Sequence, residues 1–534
     1  MKRKGLFFCS VVVACALVLG VRSLNVEDAQ AADPVATKAL AQNLAPVPAV
    51  QSAPRTSPRD SPGTVASGPS IIVVDFDTLR ADRVGRTPNS ITPNLDRFAS
   101  QAVVFEEAYS NSNETLFSHA SLFTGRYASE VGSLSYDFLL PEDVPTLASL
   151  LRDAGYQTFG AFAGGHLRED YGFGSGFQKV SQAMDWSSLM TTRGTASKWL
   201  KERASNAPVF LWLHGYDTHQ RYLKPTPFGY LFSELSRSGT VREIVSRQNG
   251  FREVLDGYFL PDVDFNEAID WTALRPIGTG PGDRALTELG KSKHNDSVSI
   301  VERVALTEED IVHLRGIYDG AVAYADLQFG LWMAVLEQEG LLDSSIVVVL
   351  SDHGEELGER GLFGHRHDLS DETLRVPLMV RPPGGLSQTF RVDEQVSLID
   401  VMPSLLEAAG VEAPKEARGT SFWGAVSRQE QVVERPIFAE SNMRAVRVRA
   451  PDGALNFTGI AADSPYWLPT VKNTRTSTLA YQASDGLSKA RQAELRKALI
   501  QWREGLTIAP PTQRTSAPSD LKRALKEKGY WETK

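Results

Sequence analysis

The chain has 534 residues, 42% hydrophobic and 23% charged, which is enough apolar material for a large core and excludes a single small domain. Its formal net charge of -9 offers no basic surplus for gripping a phosphate backbone, so nucleic acid is excluded as a partner. The two cysteines, Cys9 and Cys15, both lie in the first thirty residues.

Lys2, Arg3 and Lys4 precede an apolar run from Gly5 to Gly20, and Ala29-Gln30-Ala31 follows it. This charged, apolar and small-residue order predicts a secretory signal over residues 1–31, cleaved after Ala31. Retained, the same run would be an N-terminal anchor that attaches the chain to a membrane, although it falls short of the roughly 20 residues that span a bilayer. Val12-Val13-Ala14-Cys15 is lipobox-like, but the run continues to Leu19 and argues against processing there. Every one of these routes exports the chain, so the expected location is periplasmic, secreted or membrane-anchored facing outside. Removal of the segment leaves no cysteine, which excludes disulfides, cysteine-ligated zinc and a thiol nucleophile.

Residues 32–69, with Pro34, Pro46, Pro48, Pro54, Pro58 and Pro62 among many Ala, Ser and Thr, read as a linker that cannot bury a core. From Ser70 onward, apolar runs of strand length alternate with helical patterns: Ile71 to Val74, Thr158 to Phe162, Val209 to Leu213, Ile346 to Leu350 and Leu378 to Val380. That alternation predicts an α/β domain with helices on both faces of a largely parallel sheet. Residues 220–304 read as an irregular insertion over the site. Within them, Gly290-Lys291-Ser292 lacks the upstream glycine of a phosphate-binding loop, since Ala285 stands there. The clearest helix runs from Glu308 to Glu339, with Thr307 as N-cap and Gly340 as its stop. After about Ala409 the pattern weakens into short strands and a polar helix, Lys489 to Trp502, which predicts a smaller C-terminal subdomain over residues 411–534.

Ligands of open α/β sheets gather at the carboxyl ends of the strands. Three predicted strands end in acids or histidines: Asp75 and Asp77; His214 with Asp217 and His219; and Asp352-His353. Six of the nine histidines, namely His119, His214, His219, His353, His365 and His367, fall in four short segments. Asp352 and His353, adjacent at a strand end, can both reach one cation, and a carboxylate with an imidazole suits Zn, Mn or Fe better than an all-oxygen calcium site. Asp77 is the third expected ligand, and Asp75, deeper in the strand on the same face, is a supporting candidate. The segment Asn113 to Arg126 reads as a polar turn, a short helix and a glycine stop at Gly125. Thr115 at that helix start is either a group acting near unpaired N–H donors or an ordinary cap.

Together these residues resemble the sulfatase family of the alkaline-phosphatase-like superfamily, from about Ile71 to Gly419. The resemblance is carried by Val74-Asp75-Phe76-Asp77-Thr78-Leu79-Arg80-Ala81-Asp82, Thr92-Pro93-Asn94-Leu95-Asp96, and Ser118-His119-Ala120-Ser121 through Thr124-Gly125-Arg126. Asp217-Thr218-His219, Ser351-Asp352-His353-Gly354-Glu355 with Gly364-His365, and Arg375-Val376-Pro377-Leu378 extend it in the family's order. It implies a three-layer sandwich with a large, mostly parallel central sheet in a catalytic domain over residues 70–410 and a smaller C-terminal α+β subdomain. Formylglycine-type sulfatases carry Cys or Ser followed by x-Pro-Ser-Arg, whereas this chain has Thr115-Leu116-Phe117-Ser118-His119, and Thr218 replaces a usual proline. Threonine cannot become the aldehyde hydrate, but related phosphoethanolamine and phosphoglycerol transferases use unmodified threonine here, which favours Thr115 as nucleophile.

The resemblance implies an ester hydrolase in which a divalent cation (Mn, Zn, Ca or Mg) is held by Asp77, Thr115, Asp352 and His353. His219 and His365 then contact the non-bridging oxygens or protonate the leaving oxygen, and His119, His214 and His367 line the substrate pocket. A phospho-threonine is cleaved by water with metal help, whereas a threonine sulfate needs direct attack at sulfur or carbon, so the expectation leans to phosphoesters over sulfate esters. The substrate is a small molecule or a glycan or lipid ester. The rival readings are a transferase that passes a phospho-group to a lipid or glycan, and a catalytically silent binding protein on the same fold.

Overall fold

The structure is a computed structural model that describes residues 68–509, apart from short breaks and the longer stretches 234–253, 260–284, 289–299 and 460–478. The predicted signal, almost all of the predicted linker and the tail after residue 509 lie outside the described residues. Among the described residues no helix is long and apolar enough to cross a membrane.

Eight strands form the central sheet: β1 (Ser70–Phe76), β2 (Val103–Phe105), β3 (Gln157–Phe162), β4 (Lys179–Gln182), β5 (Val209–Gly215), β6 (Ser345–Ser351), β7 (Leu378–Arg381) and β8 (Phe390–Val392). Their order is β8-β2-β7-β6-β1-β5-β3-β4. β7 runs antiparallel to both of its neighbours, and every other pairing is parallel. β1, β5 and β6 are buried along their whole lengths, which is why they read as unbroken apolar runs rather than as alternation.

Alternation in β1 sends side chains into two separate cores. Ile71 and Val73 pack against α2 (Thr115–Thr124), α3 (Leu147–Asp153) and α6 (Val401–Ala408). Ile72 and Val74 pack against α1 (Pro93–Ala99), α4 (Leu189–Glu202) and α5 (Glu308–Gln338). Helix layers thus cover both faces of the sheet, giving the three-layer sandwich.

α5 closes where glycine was expected to stop it: Gly340 takes φ +67, and Leu341 N–H turns back to Leu336 O at 2.8 Å. Thr307 lies outside the described residues. The Thr92-Pro93-Asn94-Leu95-Asp96 signature has a structural explanation. Asp326 of α5 accepts from the backbone N–H groups of Asn94 and Leu95 at 3.1 and 2.8 Å, holding the open end of α1.

The insertion is less irregular than its sequence. Val254–Leu255, Tyr258–Phe259, Ala285–Glu288 and Ile300–Arg303 are strands, and they join Glu356–Leu357 and Leu362–Gly364 in a second sheet. The C-terminal part forms an antiparallel sheet of β9 (Ile437–Glu440), β10 (Ala445–Ala450), β11 (Gly453–Gly459) and β12 (Leu479–Ala483), covered by α7 (Lys489–Glu504) through Leu495 and Leu499. This sheet is tied to the loop that enters α2, because Glu440 N–H donates to Asn111 O (2.9 Å) and Asn111 Nδ2 donates to Phe438 O (3.0 Å).

Candidate active site

Parallel register assembles the site. Phe76 lies opposite Ser351 on one side and Gly215 on the other, so the residues that follow, Asp77, Asp352 and the Tyr216-to-His219 turn, emerge at one edge. The chain then turns sharply at Thr78, a β-branched residue held at φ +60, where L-residues are disfavoured. Three contacts over-determine that turn: Tyr318 Oη donates to Thr78 O (2.7 Å), Thr78 N–H donates to Asp352 Oδ1 (3.2 Å), and Leu79 N–H donates to Ser351 Oγ (2.8 Å).

α2 delivers the hydroxyl. Its N-cap is Glu114, in extended conformation with no side-chain cap bond, so Thr115 is the first helical residue and not the cap. Its Oγ1 donates to Asp77 Oδ2 at 3.1 Å and lies 3.3 Å from His353 Nε2. Phe117, where proline is usual, is fully buried in the core beside Phe138, and the helix forms around it.

His353 Nδ1 lies 3.0 Å from Gly354 O. A carbonyl only accepts, so Nδ1 carries the hydrogen and Nε2 presents its lone pair toward Thr115 Oγ1 and Asp352 Oδ2, 3.4 Å away. Asp77, Asp352 and His353 offer ligand atoms within 4.8 Å of one another. Asp77 Oδ1 and Asp352 Oδ2 are buried without a hydrogen-bond partner among the described residues. Two buried, orphaned carboxylate oxygens beside a bare imidazole nitrogen fit a divalent cation, the group that would satisfy all three.

The two acids titrate apart. Burial pushes Asp352 up and the neighbouring charge of Asp77 adds to it, to about 7. Burial also raises Asp77, but His219, His214 and His353 around it hold its carboxyl well below the usual range. For Asp352 the folded value lies above the unfolded one near 3.9. Such a group stabilises the metal-free fold below about pH 4, and that contribution is lost as pH rises through about 7. Metal affinity should change the other way, because the cation must displace the Asp352 proton: about tenfold per pH unit below pH 7, levelling above it. Metal titrations at stepped pH check this, and a pH-independent affinity between pH 5 and 7 would refute it.

A second group, Asp75, His119 and His214, also clusters within 4.8 Å, but it does not form a metal site. His119 Nε2 lies 2.6 Å from Asp75 Oδ2, whereas two ligands of one tetrahedral ion at bonds near 2.0 Å sit roughly 3.3 Å apart. His119 Nδ1 lies 2.8 Å from Thr115 O, so it must donate there. Both nitrogens therefore carry hydrogen, and the ring is an imidazolium paired with Asp75, which also accepts from Trp212 Nε1 at 3.1 Å. Burial alone would lower His119, but Asp75 outweighs it and lifts the imidazole to about 9.

The expected pocket residues separate accordingly. His119 was expected to bind substrate, but it is fully buried behind Thr115 with both nitrogens committed, so it cannot. His214, also fully buried, sits beside Asp77 with Nε2 3.6 Å from Asp77 Oδ2. His219 and His365 lie beside the candidate ligands: His219 Nε2 is 4.0 Å from Asp77 Oδ1, and the His365 ring centroid lies 4.5 Å from that of His353. His367 lies outside the described residues. Thr218 donates its hydroxyl to Asp77 O, a bond that proline could not make, while Asp217 accepts from Ser188 Oγ and Leu189 N–H and so fixes the start of α4. Trp212 and Tyr318 support this site without having been singled out from the sequence, and Glu355, named there only within the Ser351-to-Glu355 motif, was given no role. Trp212 had a legible signal, two residues before His214 on β5 and hence on the same face.

A fold of this kind with carboxylates and imidazoles converging on a hydroxyl defines a hydrolase of ester bonds. The sulfatase family model matches residues 69–411, and the chain belongs to the sulfatase family, within the alkaline-phosphatase-like superfamily. An arylsulfatase of Clostridium perfringens is 25% identical over 385 residues, covering 66% of this chain and 77% of that protein. A multifunctional alkaline phosphatase superfamily protein of Trinickia caryophylli is 25% identical over 418 residues, covering 66% and 76%. Among solved structures, a phosphonate monoester hydrolase from Silicibacter pomeroyi superposes with TM-score 0.56 at 18% identity, covering 82% of this chain and 96% of that one.

Proposed function

We propose that this protein is an exported, metal-dependent hydrolase in which Thr115 attacks a phosphate or sulfate ester, with phosphoesters preferred. The observation that carries the reading is Thr115 Oγ1 lying between Asp77 Oδ2 and His353 Nε2, beside the Asp77, Asp352 and His353 groups that would hold a divalent cation. When bound, the cation supplies Lewis-acid stabilisation of the alkoxide and of the developing charge on the ester oxygens. Thr115 displaces the alcohol in line, His219 and His365 contact the group being transferred, and water releases the inorganic anion. The lean to phosphorus follows from the unmodified threonine. A covalent phosphate on it remains open to attack by water at phosphorus, whereas an aldehyde hydrate, which releases sulfate by collapsing to a carbonyl, cannot form here. The arylsulfatase among the relatives keeps sulfate esters within the reading. Export is supported by the basic, apolar and small-residue order of residues 1–31.

Metal-loaded protein assayed in parallel on an aryl sulfate, an aryl phosphate and a bis-aryl phosphate tests the reading. The expected result is turnover that a chelator abolishes, fastest on a phosphoester. Ligand affinity without turnover on any of the three would overturn it.

A further inference from the structure

We infer that Glu355 positions His365 as the group that protonates the leaving oxygen, an assignment that rests on the hydrolase reading above. Glu355 is fully buried, and its Oε1 lies 2.9 Å from His365 Nδ1. The pairing is built into the backbone. Glu356–Leu357 and Leu362–Gly364 pair antiparallel with Glu356 opposite Gly364, so Glu355 and His365, one step beyond that pair, face each other. Gly364 at φ +94 supplies a backbone conformation that an L side chain rarely adopts, immediately before His365. Glu355 is held in turn by its own main chain: its N–H donates to Glu372 O (3.0 Å) and its carbonyl accepts from Arg80 Nη1 (2.9 Å).

A carboxylate only accepts, so the hydrogen of this contact sits on His365 Nδ1, and Nε2 is the atom that exchanges protons with a ligand. A buried carboxylate behind an imidazole fixes the ring and its tautomer. The His365 ring centroid lies 4.5 Å from that of His353 and 5.2 Å from that of His219, and His353 Nε2 lies 3.3 Å from Thr115 Oγ1, so His365 borders the volume a transferred group must fill.

The step balances as follows for a phosphate monoester. Thr115 enters as alkoxide, its proton already passed to bulk water. The bond from Oγ1 to phosphorus forms as the bond to the leaving oxygen breaks, and that oxygen takes a proton from His365 Nε2 and departs as the alcohol. A water then gives its proton to His365 Nε2 and its oxygen to phosphorus, releasing inorganic phosphate and restoring the Thr115 alkoxide.

The test is Glu355→Gln across aryl esters of graded leaving-group acidity, with metal content measured alongside. A nitrophenyl ester needs little protonation and should lose less than about tenfold in kcat, whereas the phenyl ester should lose on the order of a hundredfold or more, the usual worth of a general acid. Metal content should match the wild type, and Glu355→Gln added to His365→Ala should cost nothing further, because the two act as one unit. Glu355→Asp, which keeps the carboxylate, should restore part of the loss on the phenyl ester. Equal losses on every ester, a further loss on top of His365→Ala, or depleted metal would assign Glu355 to scaffolding or to His353 and overturn the inference. A wild-type protein inactive on all esters would instead overturn the hydrolase reading, and this inference with it.

Discussion

Thr115→Ala is expected to lower kcat by at least about 10⁴-fold on every ester that the wild type hydrolyses, the scale seen when a covalent nucleophile is removed. The loss should be confined to chemistry. Thr115 is not the cap of α2, so removing its hydroxyl breaks only the contacts to Asp77 and His353 and should cost no more than about 1.5 kcal/mol of stability. Thr115→Ser keeps an oxygen in the same place and should retain most activity. Steady-state turnover and thermal midpoints of the three proteins check this, and intact mass after rapid quenching should reveal a covalent adduct in the wild type and not in Thr115→Ala. Undiminished turnover by Thr115→Ala would leave the hydroxyl without a catalytic role.

What the sequence disclosed and what it hid follow from the range of the interactions. β1, β5 and β6 were legible because strands covered on both faces must be apolar throughout. Asp77 and Asp352-His353 were legible because they follow such strands directly. β2, β4 and β8, of three or four residues, have no run long enough to stand out. His119 was assigned outward because of its neighbours in the motif. Every residue of α2 is buried, however, so that helix has no solvent face, and i,i+4 spacing from Thr115 aims His119 at Asp75 within the sheet. Tyr318 sits 240 residues from the Thr78 carbonyl that it binds, on a helix whose periodicity speaks only of packing. The insertion strands pair with the segment after Glu355, a partnership that no local pattern encodes.

The two metal-site acids are expected to respond differently to neutralisation, although both supply ligands. Either Asp77→Asn or Asp352→Asn should weaken divalent-cation binding by about a hundredfold or more, because each removes a charged donor from a buried set. Without metal the two variants diverge. Asp352 is the acid that burial and its neighbour Asp77 push up to about 7, so at pH 8 its charge is a strain on the metal-free fold, and Asp352→Asn should be at least as stable as the wild type under chelation. Asp77 is the acid that His219, His214 and His353 hold in its charged form and that accepts from Thr115, so Asp77→Asn removes stabilising partners and should be less stable than the wild type. Restoring metal to about 100 times its Kd should stabilise the wild type by about 2.7 kcal/mol and neither variant to the same degree. Thermal midpoints with and without chelator at pH 8 decide the matter. If Asp352→Asn kept the full metal-dependent shift, the cation would have to lie away from Asp352, and the shared contact with Thr115 would go with it.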